Sequence, residues 1–333
     1  MLFQSLPVRV LRSLRFTGPV SQSIFLRSHG NRMPPLSPES LKAVERLRAY
    51  RPPESAWDSM PLSRKAAVLI LLFADDKGGL RVVITMRATT LSSYSGQAAL
   101  PGGKAEPGET AFEAARREAS EEIGLPRRDG ALPPPFKVEH LCEMPTNLAK
   151  TELVVRPCVA LLHSYDPETG LDANVAEKLL PRLDAREVAA VFSAPFKNFL
   201  YKEDLPDQPN LPGKPSDWYK GAWTDWHQSR WRMHNFFVPV TNQIVSKPKK
   251  NEGQKAVASH LDQFERYRVF GMTARILVDA ARYAYDQEPE FEHNSHFGDE
   301  DMIVRLRKIG RLGDIRRPGD ELTKEDLAAA AKL

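Results

Sequence analysis

Residues 103–125 read GKAEPGETAFEAARREASEEIGL, and the inner run RREASEEIGL places Glu118, Glu121 and Glu122 within five positions. A carboxylate cluster that dense repels itself, so either water solvates it or a cation holds it. Set out as a helix over 110–123 at about 100° per residue from Glu109, Glu118 falls near 180°, Glu121 near 120° and Glu122 near 220°. Phe112, Ala115, Ala119 and Ile123 form a separate apolar stripe, the side expected to pack on a sheet. Glu113, Arg116 and Ser120 take the outer arc, and Arg117 lies next to the glutamates. Ala111 and Ala114 share the glutamate arc, so the acids are expected to stand uncompensated beside open space. A solvated face would ordinarily carry Lys, Gln or Arg there to relieve the repulsion, whereas hard divalent cations seek this kind of carboxylate array. Immediately upstream, Pro101-Gly102-Gly103 lets backbone come close to a metal or a phosphate. On spacing alone the solvated acidic helix is the commoner explanation, and the metal-binding face stays open beside it.

The full stretch fits Gly–x5–Glu–x7–Arg–Glu–U–x–Glu–Glu–x–Gly–U, where U is a bulky aliphatic residue. This resembles the signature box of the Nudix hydrolase family, with Gly103, Glu109, Arg117, Glu118, Glu121, Glu122, Gly124 and Leu125 in place. The departure is Ala119 at the first U, smaller than usual but still apolar on the packing stripe. The resemblance implies an α/β/α sandwich with a mixed central sheet, and a pyrophosphohydrolase acting on a nucleoside diphosphate linked to a further moiety. It implies Mg²⁺ or Mn²⁺ held by Glu118 and Glu122, with Glu121 a ligand directly or through water and the Gly103 carbonyl a further donor. Arg117 would orient Glu118, and Glu109 would support the ligands from behind. Glu118 or Glu121 is the expected proton acceptor, with Glu187 as an alternative from another loop.

Upstream, RATTLSSYSGQAALPGGK (87–104) resembles the segment preceding the box in the coenzyme A pyrophosphatase subfamily. Arg87, Leu91, Gly96, Gln97, Pro101, Gly102 and Gly103 align, while Ser92 and Tyr94 stand where Arg and His are usual. VFGMTARIL (269–277) resembles a helix of the same subfamily, and the likeness extends to its fungal peroxisomal branch. The implied substrate is coenzyme A or an acyl-CoA, contacted by Arg87, Gly96, Gln97 and Gly102. Arg87 reads equally as a phosphate contact or as a surface arginine at a strand end. Two other enzyme readings stay beside this one: hydrolysis of oxidised nucleoside triphosphates, and hydrolysis of NADH or ADP-ribose. From a different class comes a nucleotide-binding sensor that has lost catalysis, disfavoured because every box glutamate is present.

The chain has 333 residues, 41% hydrophobic and 27% charged, enough for one large domain with extensions. Its longest apolar run, AAVLILLFA (66–74), is nine residues against the roughly 20 that span a bilayer, so no membrane span is expected. The formal net charge is +4, but five arginines before Glu39 supply +5, leaving the body at −1 with no basic footprint for nucleic acid. That Arg-bearing, acid-free leader (1–36) resembles a mitochondrial transit peptide, while Ala331-Lys332-Leu333 resembles a peroxisomal tripeptide read by an import receptor. The peroxisome is the favoured address, and initiation at Met33 would remove the competing leader.

Ser37-Pro38-Glu39 starts a helix that ends before Pro52-Pro53, within a linker segment 37–63. The main domain is expected over 64–285 and a charge-rich peripheral extension over 286–333. AAVLILLFA, DDKGG and LRVVITMRA read as strand, turn and strand. Further strands are expected at 97–100, 151–162, 187–192 and 235–240, a helix over 268–285, and a Pro-rich surface excursion over 200–217. Trp218, Trp223, Trp226 and Trp231 read as a packed flap, His293 and His296 as surface residues, and Cys142 and Cys158 as buried thiols.

Overall fold

Strand β1 (Lys65–Ala74) is apolar along its length because both of its faces are covered. Ala67, Leu69, Leu71 and Phe73 enter one buried cluster, while Ile70 and Leu72 enter another on the opposite face, the alternation that strand geometry dictates. The structure, a computed structural model, describes residues 36–87, 97–166, 168–179, 188–205, 213–226, 229–247, 261, 263–315 and 321–333.

Seven further strands join β1 in one sheet: β2 (Leu80–Arg87), β3 (Ala98–Ala99), β4 (Gly102–Lys104), β5 (Lys137–Glu143), β6 (Asn147–Leu148), β7 (Val154–His163) and β8 (Val188–Pro195). The main order is β3-β2-β1-β7-β5, with β4 on β1, β6 on β7 and β8 on β2. β1 and β7 run parallel and the other pairings are antiparallel, so the sheet is mixed as expected. A second, antiparallel sheet has the order β11-β10-β9, built from β9 (Tyr219–Trp226), β10 (Ser229–Pro239) and β11 (Arg266–Phe270).

Helices α1 (Pro38–Ala49), α2 (Ala56–Ser59), α3 (Ala111–Ile123), α4 (Val175–Lys178), α5 (Gly271–Tyr285), α6 (Glu300–Lys308) and α7 (Lys324–Ala331) divide between the two faces of the main sheet. One cluster joins α1, α5 and the small sheet through Leu47, Leu277 and Phe236. The other joins α2, α3, α6 and α7 through Trp57, Ala115, Ile303 and Leu327. The result is the α/β/α layering that the sequence implied. Ser37 caps α1 as expected, its hydroxyl accepting from the Ser40 N–H at 3.2 Å.

Several elements differ from the sequence reading. The helix expected over 268–285 begins only at Gly271; Arg268 to Phe270 belong to β11, and the switch occurs at Gly271, whose φ is 63°. Glycine takes that left-handed value without steric cost. His293 was expected at the surface, yet its side chain is 2% exposed, fixed between His234 and Asp279. Trp218 is buried and donates from Nε1 to the Asn198 carbonyl, while Trp223 is 38% exposed. Cys142 and Cys158 are free and buried.

The C-terminal stretch is fastened to the sheet by buried charge. Arg64 meets Glu152 at 2.7 Å with both side chains almost fully covered, and the other Glu152 oxygen accepts from the Leu322 N–H. Arg275 holds Asp299 in the same way at 2.9 Å. Ala331, Lys332 and Leu333 are exposed beyond this anchorage. Among the described residues no helix is long and apolar enough to cross a membrane. Residues 1–35, including Met33, lie outside the described residues.

Candidate active site

α3 is pinned at both ends. The Thr110 hydroxyl accepts from the Glu113 N–H while the Glu113 carboxylate accepts from the Thr110 N–H, closing a capping box. Gly124, at φ 69°, ends the helix in the left-handed conformation. So fixed, the helix buries Ala111, Ala114, Ala115, Ala119 and Ile123. Ala111 and Ala114 therefore lie against the fold and not beside open space as expected; their small side chains sit where α3 packs on β1 and β4.

Nor are the acids uncompensated. Arg117, 5% exposed, donates from Nε to Glu109 at 2.9 Å and from one terminal nitrogen to both Glu118 and Glu121 at 3.0 Å. Its other terminal nitrogen reaches the Lys104 carbonyl at 2.7 Å. Only a planar fork with five N–H groups can serve four acceptors at once. Burial opposes charge on Arg117, but its bonds to Glu109 and Glu118 outweigh it and hold its pKa above the ordinary value. Burial likewise opposes charge on Glu109, and the bond from Arg117, with the Glu106 N–H, keeps its pKa low.

Glu118 and Glu122 converge on the glycine strand β4. A Cβ placed on Gly103 would lie 2.5 Å from one Glu118 carboxylate oxygen and 2.7 Å from the other, so only glycine leaves that carboxylate its seat. The Gly102 N–H donates to Glu122 at 3.1 Å, and a Cβ on Gly102 would run into the Ala67 carbonyl. Glu121 points outward, its side chain 47% exposed. Glu118, Glu122 and the Gly103 backbone are thus brought together, with Glu121 reached through Arg117 and Glu109 behind them.

The donor chemistry of this cradle, carboxylate oxygens around exposed backbone, fits a hard divalent cation. Among the described residues no three acidic, His or Cys side chains form a ready cage. Glu118, Glu122 and the Gly103 carbonyl are the residues that could hold one, with Glu121 at the rim, the remaining positions suiting water and phosphate oxygens.

Away from α3, the Arg87 N–H donates to the Gln97 carbonyl at 3.0 Å, joining those two residues across the end of β2. Arg87 Nε is buried without a hydrogen-bond partner. Gly96, Glu187, Leu91, Ser92 and Tyr94 lie outside the described residues. Two arginines carry more than the sequence suggested. Arg116, assigned to the outer arc, is buried and donates to the Pro126 and Arg127 carbonyls, tying down the chain after the helix. Arg127 reaches within 3.6 Å of Glu109 and adds a half-exposed cation beside the cluster; its signal was the basic pair Arg127-Arg128 just past the helix stop.

Residues 63–142 match the NUDIX domain family, a span that includes the whole carboxylate site. Over 290 residues the chain is 31% identical to peroxisomal coenzyme A diphosphatase 1 of Saccharomyces cerevisiae, covering 82% of this chain and 84% of that protein. It is 31% identical over 229 residues to the mitochondrial Nudix hydrolase 15 of Arabidopsis thaliana, covering 68% of this chain and 61% of the relative. Over 144 residues it is 31% identical to the mouse peroxisomal coenzyme A diphosphatase NUDT7, covering 42% of this chain and 51% of that protein.

Proposed function

The chain belongs to the Nudix hydrolase family, and from that premise we propose that it cleaves the diphosphate of coenzyme A or an acyl-CoA, giving 3′,5′-ADP and (acyl-)4′-phosphopantetheine. The observation that carries this reading is the reach of the yeast likeness. It extends over 82% of the chain, well beyond the matched domain. The sequence around Arg87, Gln97 and Gly102, outside the box proper, points the same way.

Nudix hydrolases generally use a divalent metal; Mg²⁺ or Mn²⁺ would neutralise phosphate charge and supply a water acidified enough to attack. The chain's own residues do the rest. Glu118 and Glu122, with the Gly103 carbonyl, would hold the cation, and Glu121 would complete its water shell. Arg117 donates to Glu118 and holds its carboxylate against Gly103. Glu118 or Glu121 would take the proton of the attacking water, with Glu187 the third candidate. Water oxygen bonds to one phosphorus as the bridging P–O bond breaks, and the two products leave as phosphate monoesters. Arg87, Gln97, Gly96 and Gly102 would line the substrate, the unspent Arg87 Nε offering a donor to a phosphate oxygen.

For location we propose the peroxisome, reached through an import receptor that reads Ala331-Lys332-Leu333. The exposure of these three residues supports it, as does the peroxisomal yeast relative. The mitochondrial plant relative keeps the leader as the alternative address. Removing the three residues should release a fluorescently tagged chain from peroxisomes, and unchanged peroxisomal import would refute the assignment.

Chromatography of products decides the substrate. Purified protein with Mg²⁺ should convert coenzyme A to 3′,5′-ADP and 4′-phosphopantetheine faster than it converts NADH, ADP-ribose or oxidised nucleoside triphosphates. Preferential turnover of one of the others would reassign the substrate, and no turnover of any diphosphate would favour a sensor.

A further inference from the structure

Away from the carboxylate cluster, Tyr219, His234, His293 and Asp279 form an unbroken hydrogen-bonded line. Tyr219 Oη lies 3.0 Å from His234 Nδ1, His234 Nε2 lies 2.9 Å from His293 Nδ1, and His293 Nε2 lies 2.8 Å from Asp279 Oδ1. The line ties β9, β10 and α5 to the connection between α5 and α6. His234 is 1% exposed, and the His293 and Asp279 side chains are 2% and 6% exposed.

Donor chemistry gives the line a direction. A carboxylate accepts only, so His293 donates from Nε2 and, when neutral, accepts at Nδ1. His234 therefore donates from Nε2 and accepts the Tyr219 O–H at Nδ1. Every link is satisfied while both imidazoles are neutral. An added proton on His293 would turn His234 to its Nδ1–H tautomer, and one on His234 itself has the same result: Nδ1 becomes a donor and the tyrosine hydrogen is displaced towards Arg232, itself a donor to Tyr219.

The charges around His234 do not welcome that proton. Arg232 on β10 and Arg275 on α5 both act against charge on His234. Asp279 is already approached by Arg282 at 3.6 Å, and Arg275 is committed to Asp299. On the connecting segment, Glu292 pairs with Arg232 at 3.5 Å and accepts from Trp223 Nε1, and His296, at the surface as expected, has its pKa lowered by partial desolvation and by Arg275. The same segment seats Phe291, 5% exposed, in an aromatic nest: it stacks on Tyr219 with centroids 4.1 Å apart and packs on His234 and Phe236.

We propose that the His234–His293 pair is an acid-sensitive latch. Neutral, it fastens segment 287–297 over the β9–β10 hairpin; protonated, it lets that segment lift and Phe291 leave its aromatic seat.

Burial first, then His293, Arg232 and Arg275, lower His234 from its ordinary 6.5 to about 3. A base depressed in the closed state gives closure its full strength above about pH 6.5, and that strength drains as pH falls towards about 3. One such histidine makes the open form about 30-fold more favourable at about pH 5 than at about pH 7.5.

Hydrogen exchange by mass spectrometry on the full chain tests this, with exposure times scaled for the intrinsic pH dependence. Peptides covering 287–297, including the Glu290 amide bonded to the Leu200 carbonyl, should open about 30-fold more readily at about pH 5 than at about pH 7.5. Peptides of α3 should not change. His234→Gln, which cannot titrate, should flatten the difference. Equal protection of 287–297 at both pH values in the wild type would overturn the latch, and so would an undiminished pH dependence in His234→Gln.

Discussion

Arg117 shows how one side chain sets the properties of a site. It satisfies Glu109, Glu118, Glu121 and the Lys104 carbonyl together, so the acidic cluster is stable before any ligand arrives. Arg117→Lys keeps the charge but loses the fork, and we expect kcat to fall with KM little changed, because carboxylate positioning is lost and not substrate contact. Steady-state kinetics check this; a change confined to KM would contradict it. Gly103 tests the same point from the other side. In Gly103→Ala the new methyl would occupy the Glu118 seat, and a displacement of about 1 Å can cost about 100-fold in rate. Thermal unfolding should show the fold retained, and an active alanine variant would contradict the placement of Glu118.

At the scale of elements, caps and ion pairs decide what is held and when. Losing the Thr110 cap of α3 in Thr110→Ala should cost about 1 kcal/mol by denaturant unfolding. α1 is tied to β5 by Arg48 and Glu139 at 2.7 Å, with His163 on the other Glu139 oxygen. The bond from Arg48, against some burial and with help from His163, draws Glu139 from 4.5 to about 2. An acid depressed in the folded state stabilises above its unfolded pKa, so this contribution is complete above about pH 4.5 and is lost as pH falls towards about 2. Glu139→Gln should therefore be less stable than wild type at neutral pH, and the gap should close in acid; a gap constant with pH would contradict the linkage. The glutamate helix, its apolar packing stripe, the Ser37 cap and the Gly78-Gly79 turn were legible because 3.6-residue periodicity, capping and chain reversal are local. The burial of Ala111, Arg116 and His293 was not, since each depends on tertiary packing that helical periodicity does not reveal: Ala111 on the cluster it shares with β1, Arg116 on the fold-back of the chain after Gly124, His293 on Asp279 and His234. The boundary at Gly271 was hidden because Arg268 to Phe270 suit strand and helix alike, and pairing with β10 decides.

For the whole molecule, the mixed sheet carries two apolar faces, and the C-terminal helices close one of them. Arg64 and Glu152 are the fastening, and removing one member of a buried pair leaves the other charge stranded. Glu152→Ala should cost about 3–5 kcal/mol and raise proteolytic cleavage within 313–333; normal stability would show that α7 docks without it. The layers present the β4 cradle at one helix face, and the chemistry rests on Glu118 meeting Gly103 there. The most direct check is coenzyme A turnover by wild type beside Glu118→Gln, in Mg²⁺ and with folding matched by thermal unfolding. A loss of about 100-fold or more is predicted for Glu118→Gln, with 3′,5′-ADP the wild-type product; coenzyme A hydrolysis at a near-normal rate in the variant would contradict it.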